Sequence, residues 1–89
     1  MILVLCPTHR ELIADVRARM WLGDPHRVWR AAQSTMVDAS TGQSWYFVNT
    51  SVEENQQKLR GQVFEAVEGD IPDTWRDIVL SRVRKEASK

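Results

Sequence analysis

Apolar residues follow two rhythms along this chain, an unbroken run and a helical recurrence, and the first two dozen positions contain both. Ile2 to Leu5 is an apolar, partly β-branched run, the pattern of a strand buried on both faces, and Pro7 stops it. Thr8 with Glu11 three residues later forms a capping box. Leu12, Ile13, Val16 and Met20 then recur at helical spacing until Gly23 supplies a stop. A buried strand running straight into a helix predicts an α/β layer and argues against a bundle or a sandwich.

Gly23-Asp24-Pro25 marks a turn, and the segment after it reads two ways. Asp24 can cap a short helix with Pro25 at its first position, running through Val28 and Trp29 to Gln33, or Arg27 to Ala32 can form a strand. Thr35 to Asp38 and Gln43 to Asn49 predict two strands around the hairpin-type connection Ala39-Ser40-Thr41-Gly42. Trp45, Phe47 and Asn49 point to one face of the second strand and Tyr46 and Val48 to the other. Both faces carry bulk, so this strand belongs near the middle of the sheet.

A second capping box, Ser51 with Glu54, predicts a short helix from Val52 to Arg60 closed by Gly61. Glu53 and Glu54 at its start and Lys58 and Arg60 at its end suit the helix dipole, but only Val52 and Leu59 anchor it. Gln62 to Val67 predicts a further strand, ended by Gly69-Asp70-Ile71-Pro72. A last helix is expected from Asp73 to about Lys85, with Trp75, Ile78, Val79, Arg82 and Val83 on one stripe and a frayed tail from Glu86 to Lys89. The expected architecture is one small α/β domain over residues 1–89, with α+β as the alternative. A single sheet of about four strands would carry two or three helices.

Composition narrows what such a domain can do. A chain of 89 residues buries one core and leaves no space for a second domain or a deep cofactor cleft. Twelve basic and twelve acidic side chains cancel, so any pull on nucleic acid or membrane needs a local patch. One cysteine allows no internal disulfide and fits a reducing compartment. No apolar run approaches the roughly 20 residues of a membrane span, and no basic stretch precedes a signal-type core, so the expected location is cytoplasmic without membrane contact. Four tryptophans, Trp21, Trp29, Trp45 and Trp75, are many for this length and suggest core anchors with at least one contact residue.

Three segments together carry a resemblance. Leu3-Val4-Leu5-Cys6-Pro7-Thr8-His9-Arg10-Glu11-Leu12 resembles motif Ia of helicase-type P-loop ATPases, an apolar strand followed by Pro-Thr-Arg-Glu-Leu, with His9 as an insertion; a similar strand ending in Ser-Pro-Thr occurs in phage large terminases. Thr41-Gly42-Gln43-Ser44-Trp45-Tyr46-Phe47-Val48 resembles the terminase hairpin before the second nucleotide motif. Lys58 to Asp70 resembles its Leu-Arg-Gly loop and the strand ending in a magnesium-binding aspartate. The likeness runs roughly from Ile2 to Trp75 and implies a phage or bacterial origin, with Thr8 and Arg10 on a sugar-phosphate backbone and Asp70 at the metal position. No Gly-Lys-Ser or Gly-Lys-Thr loop occurs, and Ile71 stands where the family has a catalytic glutamate. The resemblance therefore implies a stripped, non-hydrolysing relative that needs no cofactor.

Other catalytic arrangements fare no better. Cys6, between a strand and a helix start, is where a phosphate-binding thiolate would lie, but the arginine required six positions on is Leu12, which favours a buried, inert thiol. Cys6 and His9 make one ligand pair without a second, and His26 alone cannot complete a zinc site, so no metal is expected. Glu65 and Glu68, three apart on a strand, project to opposite faces and belong to a solvated rim. No enzyme is expected.

Binding remains. Our first reading is a protein-binding module whose contact residues are Trp21, Trp29, Arg30 and Arg27, with Trp45 and Trp75 in the core and Trp29, between two arginines, the best exposed. Self-association as a homo-oligomer through the same surface is a further option, because so small a domain gains from burying more. The alternative is a nucleic-acid contact through Thr8, Arg10 and Arg17, the two arginines sharing a helix face seven residues apart near Arg19. Glu11 and Asp15 lie among these arginines, and Asp15 is expected to pair with Arg19, so such binding would be weak and salt-sensitive.

Overall fold

Strand β1, Ile2–Cys6, is hydrogen-bonded on both edges in the computed structural model, which describes residues 1–23 and 25–84. The further strands are β2 (Arg27–Arg30), β3 (Thr35–Asp38), β4 (Ser44–Asn49) and β5 (Ala66–Glu68), and the sheet order is β2-β3-β4-β1-β5. β1 runs parallel to β4, from Ile2 opposite Trp45 to Cys6 opposite Asn49, and parallel to β5, from Ile2 opposite Ala66 to Val4 opposite Glu68. β2, β3 and β4 form an antiparallel meander. The helices are α1 (His9–Gly23) and α2 (Arg76–Arg82), with 3-10 turns at Ala31–Gln33, Glu53–Leu59 and Asp73–Trp75. The fold is thus α/β, with five strands where the pattern predicts about four.

The period-2 alternation of β1 divides the interior into two cores. Val4 and Cys6 meet Leu12 and Val16 of α1 together with Met36, Trp45 and Phe47. Leu3, Leu5 and Val48 pack on the other face with Leu59, Phe64, Trp75 and Val79. Trp45 and Trp75 are core residues as expected, Trp75 completely so at 0 % exposure. The two faces of β4 separate as predicted, and β4 is the middle strand of the five. At the start of α1 Thr8 caps the helix, while Glu11 reaches back to the Thr8 hydroxyl in place of its backbone amide, so only half of the predicted capping box is made. The Glu11 amide donates to Thr8 Oγ1 at 3.1 Å and the Thr8 hydroxyl donates to Glu11 Oε2 at 3.3 Å.

One open alternative is settled and three expectations need correction, the capping box through a competitor two residues away and the others through non-local partners. The segment that read two ways is a strand from Arg27 to Arg30, paired with β3, followed by one 3-10 turn at Ala31–Gln33. The second capping box does not form. Asn49 Oδ1 accepts from the Ser51 amide at 2.9 Å and from its hydroxyl at 2.7 Å, so Ser51 is held in an Asx turn. The helix begins instead from Val52, without a side-chain cap, as a 3-10 helix over Glu53–Leu59.

The strand expected over Gln62–Val67 is paired only at Ala66–Glu68, because Phe64 bridges Val83. The Phe64 amide donates to the Arg82 carbonyl at 2.7 Å, and the Arg84 amide donates to the Phe64 carbonyl at 2.7 Å. That bridge pulls Val83 into an extended conformation (φ −104°, ψ 123°) and shortens the last helix to a 3-10 turn plus Arg76–Arg82. Asp24 as a cap, the helix end at Lys85 and the tail Glu86–Lys89 lie outside the described residues. Among those described, no helix is long and apolar enough to cross a membrane.

One glycine fastens the β1 and β5 ends together. Gly69 sits at φ 95°, and a Cβ there would lie 2.2 Å from the Leu5 carbonyl oxygen. Gly69→Ala combines left-handed strain with a backbone clash, and it should cost about 2 kcal/mol or more, read as a lower urea midpoint at unchanged slope.

Candidate interaction surface

Helix α1 is anchored by Leu12 and Val16, one and two turns in, and its final turn carries Met20, Trp21 and Leu22. Residues one step apart on a helix turn by about 100°, so with Met20 facing the sheet Trp21 must face outwards. It does: Trp21 is 84 % exposed and Leu22 78 %. Between this turn and β2 lies a groove of about 480 Å³ lined by Val16, Arg17, Met20, Trp21 and Trp29. Val28, 52 % exposed on edge strand β2, alternates with Trp29 and so lies on the opposite face, away from α1 and the groove.

Trp29 is half-buried, where the pattern had placed the best exposed ring. Strand alternation turns Arg27 and Trp29 towards α1, and the Trp29 ring meets Phe47 edge-on at 5.5 Å with an interplanar angle of 86°. It forms a wall of the groove, while Trp21 is its free flank. Arg30 is exposed and alternates to the opposite face of β2, away from α1.

Arg27, predicted as a contact residue, is committed inside the fold. Its Nε donates to Asp38 Oδ2 at 2.9 Å, its Nη1 donates to the Arg19 carbonyl at 2.7 Å, and its Cζ lies 4.7 Å from the Trp45 ring centroid. Arg19 extends the network. It donates to Asp15 Oδ1 at 2.6 Å, as the spacing predicts, and to Glu68 Oε1 at 2.5 Å, with Phe47 and Trp45 at 5.6 and 6.0 Å from its Cζ. Glu68, on edge strand β5 with its side chain 43 % exposed, also ties that strand to α1, and exposed Glu65 binds the Met1 ammonium at 2.9 Å.

Of the nucleic-acid candidates, Thr8 is occupied in capping α1, Arg10 is exposed on the first turn of α1, and exposed Arg17 lines the groove. The structure thus gathers Trp21, Trp29 and Arg17 around one feature and leaves Arg27 and Arg30 out of it. Leu22 is an addition that periodicity does not reveal, since its exposure depends on where α1 ends relative to the sheet edge.

Cys6 is 4 % exposed, and burial beside Asp15 pushes its thiol up to about 11. It borders a cleft of about 250 Å³ with Pro7, Glu11, Asp15 and Asp70, the last being the residue the terminase resemblance puts at a metal position. Among the described residues no three histidine, cysteine or acidic side chains are grouped so as to hold a metal ion. Comparisons with protein-family models, curated proteins and solved structures find no match.

Two titrations check these environments. Iodoacetamide should leave Cys6 unmodified in the folded protein at pH 8 and alkylate it once urea is added, because a raised pKa and burial both withhold the thiolate. Hydrogen bonds from Ser40 and then Arg27 hold the Asp38 carboxyl well below the usual carboxylate range. A depressed acid stabilises the fold fully above its unfolded pKa of about 3.9, and that contribution fades as pH falls towards the folded value. Asp38→Asn should therefore be less stable than the parent at pH 7, and its urea midpoint should fall less steeply below about pH 4.

Proposed function

We propose that this chain is a non-catalytic protein-binding module and that its contact face is the groove between α1 and β2. The observation that carries the reading is Trp21, a large ring held 84 % exposed on a well-anchored helix beside an apolar groove and next to exposed Leu22. Exposed clusters of this kind with a tryptophan at the centre have the composition of binding hot spots. Arg17 on the groove sets the chemistry of the partner, an apolar side chain entering between Trp21 and Trp29 with an acidic neighbour on the same segment. The helicase- and terminase-like segments belong to this proposal as an account of origin, a phage or bacterial chain that uses the scaffold without the nucleotide chemistry.

The test is a pull-down with mass-spectrometric identification, followed by calorimetric titration of the partner it yields. Trp21→Ala should leave the melting temperature essentially unchanged, since surface substitutions shift stability by about 0.5 kcal/mol or less, and should weaken the partner at least about tenfold. Sedimentation without any partner checks self-association through the same face. Saturable single-stranded DNA binding with a steep salt slope, lost on Arg10→Ala and Arg17→Ala but not on Trp21→Ala, would favour the nucleic-acid reading instead.

A further inference from the structure

At the carboxyl ends of β1 and β4 the chain leaves the sheet towards opposite faces. α1 packs on the face of Val4 and Phe47, and the Glu53–Leu59 helix packs on the face of Leu5 and Val48. In open α/β sheets such a divergence leaves a crevice outside the strand ends, the place where ligands bind. A cavity of about 450 Å³ lies on the α1 side of this divergence, at the end of β4 and against Trp29, Ala31 and Ser34 of β2 and the turn after it. Trp29 and Phe47, locked edge-on, supply apolar walls, and His9, Asn49, Asn55 and Lys58 bring polar groups from three separate elements.

Two of those groups are held in place by the fold. Asn55 Nδ2 donates to the Asn49 carbonyl at 2.7 Å, and Asn49 Oδ1 accepts from the Ser51 amide and hydroxyl. Each amide keeps one end, Asn55 Oδ1 and Asn49 Nδ2, without a hydrogen bond among the described residues. Lys58 forms no ion pair among the described residues, and no acidic side chain lines the cavity. An apolar wall with a cationic rim and fixed amides selects for charge and shape together.

We propose that this cavity binds a small planar organic anion, its ring against Trp29 and its anionic group beside Lys58 and His9. The site is distinct from the protein-binding groove and stands without it, although Trp29 borders both. Calorimetric titration of the full chain with two probes, adenosine 5′-monophosphate and indole-3-carboxylate, separates a phosphate from a carboxylate head on a flat ring. At least one should saturate at one per chain with a Kd of about 1 mM or lower. Backbone amide shifts should centre on Asn49 and Asn55.

Lys58→Glu should weaken that probe at least about tenfold, a loss expected of a charge-assisted contact, and Trp21→Ala should leave it unchanged. Lys58→Ala, with folding verified by circular dichroism, serves if the reversed charge disturbs the short helix. The proposal fails if neither probe saturates, if the Lys58 variants bind like the parent, or if Trp21→Ala weakens binding as much as they do.

Discussion

The constraint on which the structure rests is that β1 must be covered on every side. Leu3, Val4, Leu5 and Cys6 are all buried, so the strand needs hydrogen-bonded neighbours on both edges and apolar layers on both faces. Parallel neighbours cannot be joined by tight turns, and each requires a crossover. The route from β1 to β4 places α1 on one face. The route from β4 to β5 places Glu53–Leu59 on the other, and α2 follows to complete that layer. A strand pattern of four residues thus dictates a three-layered domain.

Cations hold the α1 layer in position where one would expect only apolar packing. Arg19 reaches from α1 to Glu68 on β5 while bonded to Asp15 one turn back, and Arg27 ties β2 to Asp38 on β3 and to the carbonyl of Arg19. Both guanidinium groups lie within reach of the Trp45 ring, so their charges are paired with carboxylates and faced by an aromatic surface. Half-buried charges left without such partners would cost more than they return. The functional consequence is geometric. With α1 pinned near Arg19, its last turn is carried in a fixed orientation, and Trp21 is presented instead of collapsing onto the sheet.

Trp29 joins this scaffold to the two proposed binding features. Its edge-on contact with Phe47 fixes the ring between the α1 groove and the cavity at the strand ends. A shift of that ring alters the walls of both at once. The surfaces nevertheless differ in character. The groove is apolar beside a single arginine, and the cavity mixes apolar walls with two fixed amides and a lysine, so they suit different classes of ligand.

Wherever nearest neighbours decide, the residues alone were sufficient. The burial of β1, the Thr8–Glu11 cap, the run of α1 to Gly23, the hairpin around Gly42, the two faces of β4 and the Asp15–Arg19 pair all follow from spacing within a few positions. Tertiary structure decided the rest, because in each case a group had competing partners of similar strength and only the fold could rank them. Ser51 could cap its own helix or satisfy Asn49, and it does the latter. Phe64 could extend β5 or bridge Val83, and the bridge ends α2. Arg27 and Trp29 read as surface on a local count, yet alternation within a strand that exists only through its pairing with β3 turns both inwards. Spacing along the chain records which side chains can meet; which meeting prevails is settled when turns, strand pairing and packing fix the distances between the competitors.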